Sequence, residues 1–570
     1  MDFKTFLDHF ETIAQAPNGI AKLRSLILDL AVRGKLVPQK PEDEPASTLL
    51  SKIQLDKEDL IRTKKIKADK ALPKIQESTL DFEPALGWKW CYLVDISQKI
   101  TDGEHATPRR SSSGYYLLSA RNVKDGEIAL DNVDYVPEDE FSRIRKRCDP
   151  DKGDILISCS GSVGRVAVVD KDNTYVMVRS AALVKLFQNY IYSQFLAYAL
   201  RSRSIQNQII EKSRASAQAN LFLGKIKEIK IPLPPFAEQK RIVEKVDELM
   251  ALCDRLQHSQ ETRDHLRQKL RESAIAALMN AETDEELQKS WAIVRDNLHT
   301  LSQNPEDVND LRRSILQLAV EGKLTYQKTD DETGEALIEE INIAKQRIAK
   351  QVKVKRMKLA TSIPTIERSL PIPENWGCTY LEGLIHPEYP ISYGVLVPGA
   401  DVENGVPFVR VQDLNLKNPP EKPNKSISKE IESSYTRTRL VGGEILMAVV
   451  GSIGKLGIAP TSWAGANIAR AVCRILPISN ISRDYLVLVL QSQAIQSYFL
   501  EATRTLAQPT LNISLVEKAQ IPIPPLAEQK RIVAKVDELM QMCDQLEESL
   551  RQSQQTVEAL AASAISHLTF

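Results

Sequence analysis

The sequence lacks the features that mark several large classes of protein. It has no apolar run of 18 residues to span a bilayer, and its N-terminal stretch carries acids where a secretory signal needs a basic and then an apolar segment. Its seven cysteines never form a C-x-x-C pair, and none stands at zinc-finger spacing from a histidine. These absences predict a cytoplasmic protein with reduced thiols, no structural metal and no membrane contact.

An excess of charge of one sign is also missing, because 75 Lys and Arg balance 75 Asp and Glu over 570 residues. The chain is 42% hydrophobic and 26% charged, which is typical of a globular protein and excludes a fibrous or disordered one. Since domains average about 150 residues, this length predicts two or more separate cores.

Complete catalytic motifs are absent as well. An amino-methyltransferase needs Asp/Asn-Pro-Pro followed by an aromatic residue, and the nearest match, Asn418–Glu421, ends in a carboxylate. Neither Gly451–Lys455 nor Gly34-Lys35 completes a phosphate-binding P-loop. Glu238 and Glu528, each two residues before a lysine, resemble half of a nuclease site, but both fall in the first turn of a predicted helix. We interpret both as structural and predict a chain without an active site.

What the sequence does contain is a long internal repeat. Residues 231–250, IPLPPFAEQKRIVEKVDELM, match residues 521–540, IPIPPLAEQKRIVAKVDELM, at 17 of 20 positions. The same shift of 290 relates the Gly-Ser-x-Gly elements at 161–164 and 451–454, and a shift of 288 relates LAVRGKL at 30–36 to LAVEGKL at 318–324. The chain is therefore two copies of a unit of about 290 residues.

Each repeated I-P-x-P-P segment excludes a helix and is followed by strong helix-forming sequence, so a long helix is predicted after residues 235 and 525. A helix of about 40 residues spans on the order of 60 Å. Apolar residues within both helices step by four and three, the spacing of a coiled-coil seam. The seam residues are Ile242, Val246, Leu249, Cys253 and Leu256 in the first helix, and Ile532, Val536, Leu539, Cys543 and Leu546 in the second.

The segments between these elements, residues 88–235 and 376–525, read as mixed domains of short strands and helices, and they are far less alike than the helices. Residues 88–235 carry 22 Lys and Arg against 17 Asp and Glu, whereas the second segment is nearly neutral. Basic stretches at Arg62–Lys74 and Lys345–Lys358 are interpreted as solvated linkers rather than as DNA contacts. A shared frame carrying two divergent domains indicates that the domains bind different things.

With these repeats, the chain resembles the specificity subunits of type I restriction-modification systems. The similarity lies in the I-P-x-P-P-x-A-E-Q-K-R-I-V run, in Gly-Asp/Glu-Ile-Leu followed by Gly-Ser-x-Gly, and in YLLSARNVKDG at 116–126, echoed by PFVRVQD at 407–413. The L-A-V-x-G-K-L segments resemble the subgroup with an extended N-terminal helical region. The resemblance covers essentially the whole chain.

The resemblance implies an α+β fold in which two globular target-recognition domains alternate with two long antiparallel coiled-coil helices, as an internal pseudo-two-fold repeat. The predicted segments are an N-terminal helical region with a basic linker (1–87), target-recognition domain 1 (88–235), the central helix (236–290), a second helical region with a basic linker (291–375), target-recognition domain 2 (376–525) and the C-terminal helix (526–570).

By the same resemblance, each domain reads one half of a split site in double-stranded DNA. Two modification (methyltransferase) subunits flank the helices, restriction (translocase and nuclease) subunits join through the complex, and S-adenosylmethionine, ATP and Mg²⁺ belong to those partners. This chain itself is expected to bind no cofactor.

Reading DNA requires exposed cations for phosphates and exposed polar side chains for base edges, so polar loops supply the candidates. In the first domain they are Thr107, Arg109, Arg110, Ser112, Tyr115, Arg121, Asn122, Arg165, Arg214 and Gln218. In the second they are Tyr393, Arg410, Gln412, Lys455, Arg470, Arg504 and Gln508. The Gly-Ser-x-Gly element occurs in both domains, which favours a shared turn over a base reader. Two alternatives stay open, a coiled-coil adaptor for proteins and a stand-alone DNA-modifying enzyme.

Overall fold

The computed structural model describes residues 3–76, 80–213, 220–281, 283–328, 330–354, 357–501, 503 and 510–569. The chain forms two compact units. Unit 1 joins residues 1–264 to residues 553–570, and unit 2 comprises residues 265–552. Each unit contains one mixed domain, and we call residues 88–235 domain 1 and residues 376–525 domain 2. No helix among the described residues is both long and apolar enough to cross a membrane.

Unit 1 begins with three helices, α1 (Phe3–Gln15), α2 (Gly19–Val32) and α3 (Ala46–Arg62). Domain 1 follows as β1 (Lys89–Tyr92), β2 (Ser97–Asp102), β3 (Tyr115–Leu118), β4 (Asp134–Val136), α4 (Glu138–Arg145), β5 (Ile155–Ser158), β6 (Val166–Val168), β7 (Tyr175–Met177), β8 (Ala181–Leu186), α5 (Ser193–Arg201), α6 (Arg203–Ser213), α7 (Leu223–Lys227) and β9 (Lys230–Leu233).

Three sheets build domain 1. An antiparallel sheet has the order β2-β8-β5-β6, a mixed sheet has the order β4-β3-β7 with β3 and β7 parallel, and β1 pairs with β9. Successive side chains of a strand point to opposite faces. Ile155 and Ile157 accordingly pack into the core beneath α5 and α6, whereas Leu156 packs into a second core with β3 and β7.

The first long helix, α8 (Phe236–Met279), begins directly after the proline segment. In unit 1 its first half shares a core with α1 and α2 and with Phe195 and Tyr198 of α5. Ala561 and Ala564, near the C-terminus of the chain, complete that core. The end of the second long helix therefore contributes to the same core as the first half of the first long helix in this unit.

Unit 2 repeats this plan. After α8 come α9 (Asp284–Asp296), α10 (Leu298–Leu301), α11 (Val308–Val320) and α12 (Gly334–Gln351). Domain 2 and the last helix follow as β10 (Gly377–Tyr380), β11 (Ser392–Tyr393), β12 (Val406–Val409), β13 (Ser426–Ile427), α13 (Lys429–Ser433), β14 (Ile445–Ala448), β15 (Leu456–Ile458), β16 (Asn467–Ile468), β17 (Val472–Ile475), α14 (Arg483–Gln491), α15 (Gln493–Glu501), α16 (Ile513–Glu517), β18 (Gln520–Ile523) and α17 (Leu526–Thr569).

Domain 2 has the same sheet topology as domain 1. Its antiparallel sheet has the order β11-β17-β14-β15, its mixed sheet has the order β13-β12-β16 with β12 and β16 parallel, and β10 pairs with β18. Two domains that differ greatly in sequence thus share one α+β fold, which confirms the predicted fold class.

The repeated L-A-V-x-G-K-L segments end equivalent helices. Gly34 after α2 and Gly322 after α11 have φ of 66° and 71°, a left-handed conformation in which a side chain is strained. The N–H groups of Lys35 and Lys323 then donate to carbonyls five residues earlier, both at 3.0 Å. This is the hydrogen bond by which a glycine closes a helix C-terminus, and it explains the repeat.

One predicted linker is partly wrong. Lys345 lies inside α12 and is 1% exposed. Its buried Nζ donates to the carbonyls of Gly383 at 2.8 Å and Glu382 at 3.2 Å. Burial lowers the pKa of its ammonium to about 8. Helical periodicity places Lys345 on the buried face of α12, which the local count of positive charges did not reveal.

Candidate nucleic-acid interface

Corresponding residues of the two domains are assigned by strand register. Ser158 pairs with Ala181 in domain 1, as Ala448 pairs with Val472 in domain 2. The first members of these pairs differ by 290 residues and the second members by 291. The same shift of 291 relates the parallel pair β3 and β7 to β12 and β16.

The Gly-Ser-x-Gly element forms the same tight turn in both domains. Gly164 and Gly454 have φ of 89° and 81°. Their carbonyls accept hydrogen bonds from the amides of Gln206 at 2.9 Å and Gln496 at 3.2 Å. Each amide also donates to the end of the preceding helix at 2.7 Å, so the turn is fastened to the domain core. These contacts favour a structural role for the element.

Short 3-10 turns follow β3 and β12. Asn122 and Asp413, at equivalent positions, accept hydrogen bonds from the N–H groups of Ser119 at 3.0 Å and Arg410 at 2.8 Å. Asn122 is 2% exposed, and its amide also donates to the carbonyl of Ala129 at 3.0 Å. The prediction of Asn122 as a DNA contact therefore conflicts with its burial, since a base reader needs a free, exposed amide.

The apex of each turn carries an exposed side chain. Arg121 occupies it in domain 1, and Gln412 occupies the equivalent position in domain 2. The Arg121 guanidinium lies 2.8 Å from Asp134. Lys455 reaches the same turn in domain 2, where its Nζ donates to the carbonyl of Val411 at 3.0 Å. Arg410, half-buried, lies 3.7 Å from Asp413.

The basic loop between β2 and β3 is exposed, but carboxylates neutralise its arginines. Arg109 pairs with Asp139 of α4, and Arg110 lies 3.4 Å from Asp134, an acid that it shares with Arg121. Exposed pairs of this kind are weak and exchange readily for another anion. Thr107 and Ser112 are exposed in the same loop.

Both predicted tyrosines lie on strands rather than on free loops. Tyr115 of β3 stacks on Phe141, with ring centroids 3.8 Å apart. Tyr393 of β11 is half-buried; its hydroxyl donates to the carbonyl of Leu511 and accepts from the N–H of Ile513, both at 3.0 Å. Burial raises the pKa of Tyr393. The hydroxyl of Tyr393 is thus engaged within its own domain.

Arg165 and Arg470 are predicted residues without a hydrogen-bonding or ionic partner for the guanidinium in the part of the chain that the structure describes. Arg470 is exposed, and its main-chain N–H donates to the carbonyl of Val395 at 2.9 Å. Arg165 directly follows the Gly164 turn. The remaining four predicted residues, Arg214, Gln218, Arg504 and Gln508, lie outside the described residues.

Sequence reasoning missed Arg179. It is exposed, and the shift of 291 makes it the equivalent of Arg470. Its N–H donates to the carbonyl of Glu104 at 3.1 Å, matching the bond at Arg470. The position was not singled out because the shift of 290 that relates the Gly-Ser-x-Gly elements places Ala469 opposite Arg179.

A second missed group surrounds Asp102. Its carboxylate accepts from Arg147 and lies against the His105 ring, both at 2.7 Å. Burial acts to raise the pKa of Asp102, but these two hydrogen bonds outweigh it, and the pKa lies below its usual value. A cavity of about 580 Å³ opens beside this group, lined also by Ser160 and Arg179. The sequence signal was a single Asp-x-x-His spacing, which is too common to single out.

The repeated A-E-Q-K-R run joins each domain to its long helix. The Trp88 and Trp376 indoles donate to Glu238 and Glu528, both at 3.0 Å, and the two carboxylates are 1% and 0% exposed. A second contact is also common to both copies. Three residues after each glutamate, Arg241 pairs with Asp43 and Arg531 pairs with Asp331. The two glutamates are structural, as the sequence indicated. The run is repeated because it builds the same joint twice.

The predicted seam residues are buried, apart from Leu256, which is partly buried against the same core. Those of α8 pack with α1 and α2, and those of α17 pack with α11 and with Trp376. The heptad spacing found the buried face but not these additional partners.

The Asn418–Glu421 segment serves as a loop. The Trp463 indole donates to the carbonyl of Pro420 at 3.0 Å, and the Ser462 hydroxyl donates to that of Glu421 at 3.2 Å. Within the described residues no group of three or more His, Cys, Asp or Glu side chains is arranged to hold a metal ion.

The chain is 28% identical to the type I restriction enzyme EcoAI specificity subunit of Escherichia coli, over 96% of this chain and 94% of that one. It is 29% identical to the EcoEI specificity subunit of Escherichia coli, over 94% of this chain and 92% of that one. The crystal structure of the HsdS subunit from Thermoanaerobacter tengcongensis aligns with a TM-score of 0.42 at 17% identity, covering 86% of this chain and 98% of that one.

The family described as the type I restriction modification DNA specificity domain matches twice, at residues 115–263 and at residues 400–555. Each match covers most of one mixed domain and the beginning of the long helix that follows it. Together the two matches span more than half of the sequence. This chain therefore belongs to the family of type I restriction-modification DNA specificity proteins and carries two copies of its domain.

Proposed function

We propose that this chain directs a type I restriction-modification complex to a bipartite DNA site, with domain 1 reading one half-site and domain 2 the other. One observation carries the proposal: two divergent domains of one topology are each joined to a long helix by the same Trp-Glu contact. The contacts that join domain to helix are repeated, whereas the two domains diverge in sequence, as two readers of different half-sites require.

In this proposal the chain is the non-catalytic subunit. Two modification subunits dock on it and methylate the DNA, restriction subunits join through the assembly, and S-adenosylmethionine, ATP and Mg²⁺ are bound by those partners. The support on this chain's side is that its methyltransferase-like and nuclease-like sequences serve as a loop and as a buried helix joint.

The long helices set the number of unread base pairs between the half-sites. Each has 44 residues and would extend about 66 Å at 1.5 Å per residue, and one turn of DNA is about 34 Å. Removing one heptad from both helices is expected to change the spacer and leave both half-site sequences intact.

The test is single-molecule mapping of methylated bases in cells that express this chain with its modification subunit, compared with cells that lack this chain. We expect a chain-dependent split motif of two short half-sites. Exchanging residues 88–235 for the equivalent domain of a relative should then change one half-site only. An assembled complex without any chain-dependent motif would refute the proposal and favour a protein adaptor, whereas methyl transfer by the isolated chain would favour an enzyme.

A further inference from the structure

The parallel strands of each mixed sheet end at one edge. β3 and β7 end at Leu118 and Met177, and β12 and β16 end at Val409 and Ile468. Parallel strands have the same direction, so the residues that follow them meet at the same edge of the sheet. We call this the reading edge and define it as residues 119–122 and 178–180 in domain 1 and residues 410–413 and 469–471 in domain 2.

The main chain of the reading edge is fixed in both domains. Asn122 and Asp413 tie the 3-10 turns to their first residues, as described above. On the other strand, the N–H groups of Arg179 and Arg470 donate to carbonyls after β2 and β11. Two rigid positions on each edge therefore present exposed side chains, and little main-chain ordering would be needed on binding.

The position that follows β7 in domain 1 and β16 in domain 2 has the same side chain in both domains. Arg179 and Arg470 are exposed, and within the described ranges neither guanidinium has a carboxylate partner. The acids beside Arg179 are already engaged, since Asp102 is held by Arg147 and Glu104 by Arg143 at 2.9 Å. An exposed, unpaired guanidinium suits a phosphate, which every DNA sequence offers.

The apex of the 3-10 turn that follows β3 in domain 1 and β12 in domain 2 has different side chains. Arg121 stands in domain 1 where Gln412 stands in domain 2, on turns of the same conformation. In the major groove, arginine makes two hydrogen bonds to guanine and glutamine makes two to adenine. The Arg121–Asp134 pair is exposed, so the guanidinium exchanges this partner at little cost.

We propose that the two positions of the reading edge have different roles, one in binding a phosphate and the other in selecting a base. Arg179 and Arg470 anchor a DNA phosphate at equivalent places in the two half-sites, whereas Arg121 selects guanine in one half-site and Gln412 selects adenine in the other. This inference rests on the proposed function and adds to it the residues that position the DNA and those that choose the base.

The phosphate anchor is tested by the salt dependence of binding. Complexes carrying Arg179→Ala or Arg470→Ala are titrated with duplexes that contain the mapped motif or a scrambled one. Each variant should lose affinity by the same factor on both duplexes, and the slope of log K against log salt should become shallower by about 0.9, the value for one phosphate. Arg179→Gln, which keeps a long polar side chain, should behave like Arg179→Ala.

Lys171 provides a matched control. It is exposed in the same domain but precedes β7, so it lies at the opposite edge of the mixed sheet. Lys171→Ala should leave the salt slope unchanged. An equal change of slope in the Lys171 and Arg179 variants would mean that any positive charge has this effect, and it would overturn the assignment of Arg179 and Arg470 as phosphate anchors. An unchanged slope in the arginine variants would overturn it as well.

Base selection is tested by exchanging the apex residues. Arg121→Gln should change one base pair of one half-site from guanine toward adenine, and Gln412→Arg should make the reverse change in the other half-site. Discrimination at that base pair should shift on the order of 5- to 150-fold, the range of one two-bond contact. The methylated motif of each variant gives the result.

Each remaining outcome is decisive as well. An unchanged motif in both exchange variants, or a motif altered in both halves by one substitution, overturns the assignment of Arg121 and Gln412. A wild-type complex without any chain-dependent motif refutes the proposed function itself. That result is read before any variant, so the two failures are distinguishable.

Discussion

The two domains differ most clearly at the end of their equivalent strands β2 and β11. Asp102 pairs with Ala182 in domain 1, and Tyr393 pairs with Cys473 in domain 2. Asp102 is held by Arg147 and His105 beside a cavity, whereas the Tyr393 hydroxyl bridges the main chain of Leu511 and Ile513. The same strand position thus carries a charged cluster in domain 1, whereas in domain 2 it holds the main chain of residues 511–513 by hydrogen bonds.

The joints between domain and helix show the opposite behaviour. Both Trp-Glu bonds are 3.0 Å long, and both glutamates also accept from a glutamine, Gln39 at 3.1 Å and Gln327 at 2.7 Å. Buried polar groups tolerate few substitutions because each lost partner leaves another group unsatisfied. Surface contacts tolerate many. Substitutions are therefore expected to destabilise the protein little at the exposed turns and more at the buried Trp-Glu contacts.

The largest effect is expected in the helix cores, where the two halves should respond alike. Leu249 and Leu539 are each 2% exposed at equivalent seam positions. Replacing either with alanine should lower the free energy of unfolding by about 2–5 kcal/mol, through lost burial and the cavity that remains. Leu270→Ala on α8, where the leucine is 50% exposed, is the control and should change stability by less than about 0.5 kcal/mol. Urea titration measures all three, and a large cost at only one seam position would break the equivalence.

A smaller but pH-dependent effect is expected at the joints. Glu238→Gln or Glu528→Gln puts an amide N–H₂ where a carboxylate oxygen accepted, so one buried donor loses its partner at a cost of about 1–3 kcal/mol. Burial raises the pKa of both glutamates above the usual 4.5, against the hydrogen bonds that lower it. The native state therefore binds protons more tightly than the unfolded state.

The sign of the pH effect follows from that difference. The contribution of the two glutamates is fully present below pH 4.5 and is lost as the pH rises through their raised pKa values. Between pH 4.5 and these raised pKa values, the two glutamates should contribute a fall in the thermal stability of the native protein. Each glutamine variant should make that fall smaller. Glu248→Gln, at a position with an exposed side chain, should leave the fall unchanged, and an equal reduction there would contradict the assignment.

The two long helices could be predicted from sequence because their starts and their buried seams depend on local patterns, whereas the Trp-Glu contacts join residues about 150 positions apart and were not predicted. Prolines fix where α8 and α17 begin, and the steps of four and three residues locate the buried seam. The α+β class of the domains was predicted from short strand runs bounded by turn residues, and the antiparallel helix pair from the family resemblance. The domain boundaries stay a prediction.

The environments of the candidate DNA-contacting residues were harder to predict because exposure and pairing depend on distant parts of the chain. Arg109 and its partner Asp139 are 30 residues apart, and a partner at that distance leaves no local pattern. Asn122 looked like a free polar side chain, but the tight turn that it stabilises buries it. The equivalence of Arg179 and Arg470 was not singled out from the sequence and follows from the strand register, which gives a shift of 291 at β7 and β16.

The next effect sharpens the contrast between the two tyrosines. Tyr393→Phe removes two hydrogen bonds and should destabilise domain 2 by about 1–2 kcal/mol. Tyr115→Phe keeps the stack on Phe141, so its effect should stay within about 0.5 kcal/mol. Thermal unfolding of the two variants measures the difference. Equal costs would show that the Tyr393 hydroxyl does not hold the segment at residues 511–513.

The smallest effect concerns Asp102. Its partners Arg147 and His105 are about half exposed, so the pairing contributes only about 0–1 kcal/mol. Because the folded pKa of Asp102 lies below the usual 3.8, this contribution is present above that value and is lost as the pH falls through the folded pKa. Asp102→Asn should therefore lower stability slightly at neutral pH and flatten the acid limb of the stability curve. The joint glutamates have raised pKa values and the opposite slope, so a steeper acid limb in the asparagine variant would contradict the direction of the Asp102 shift.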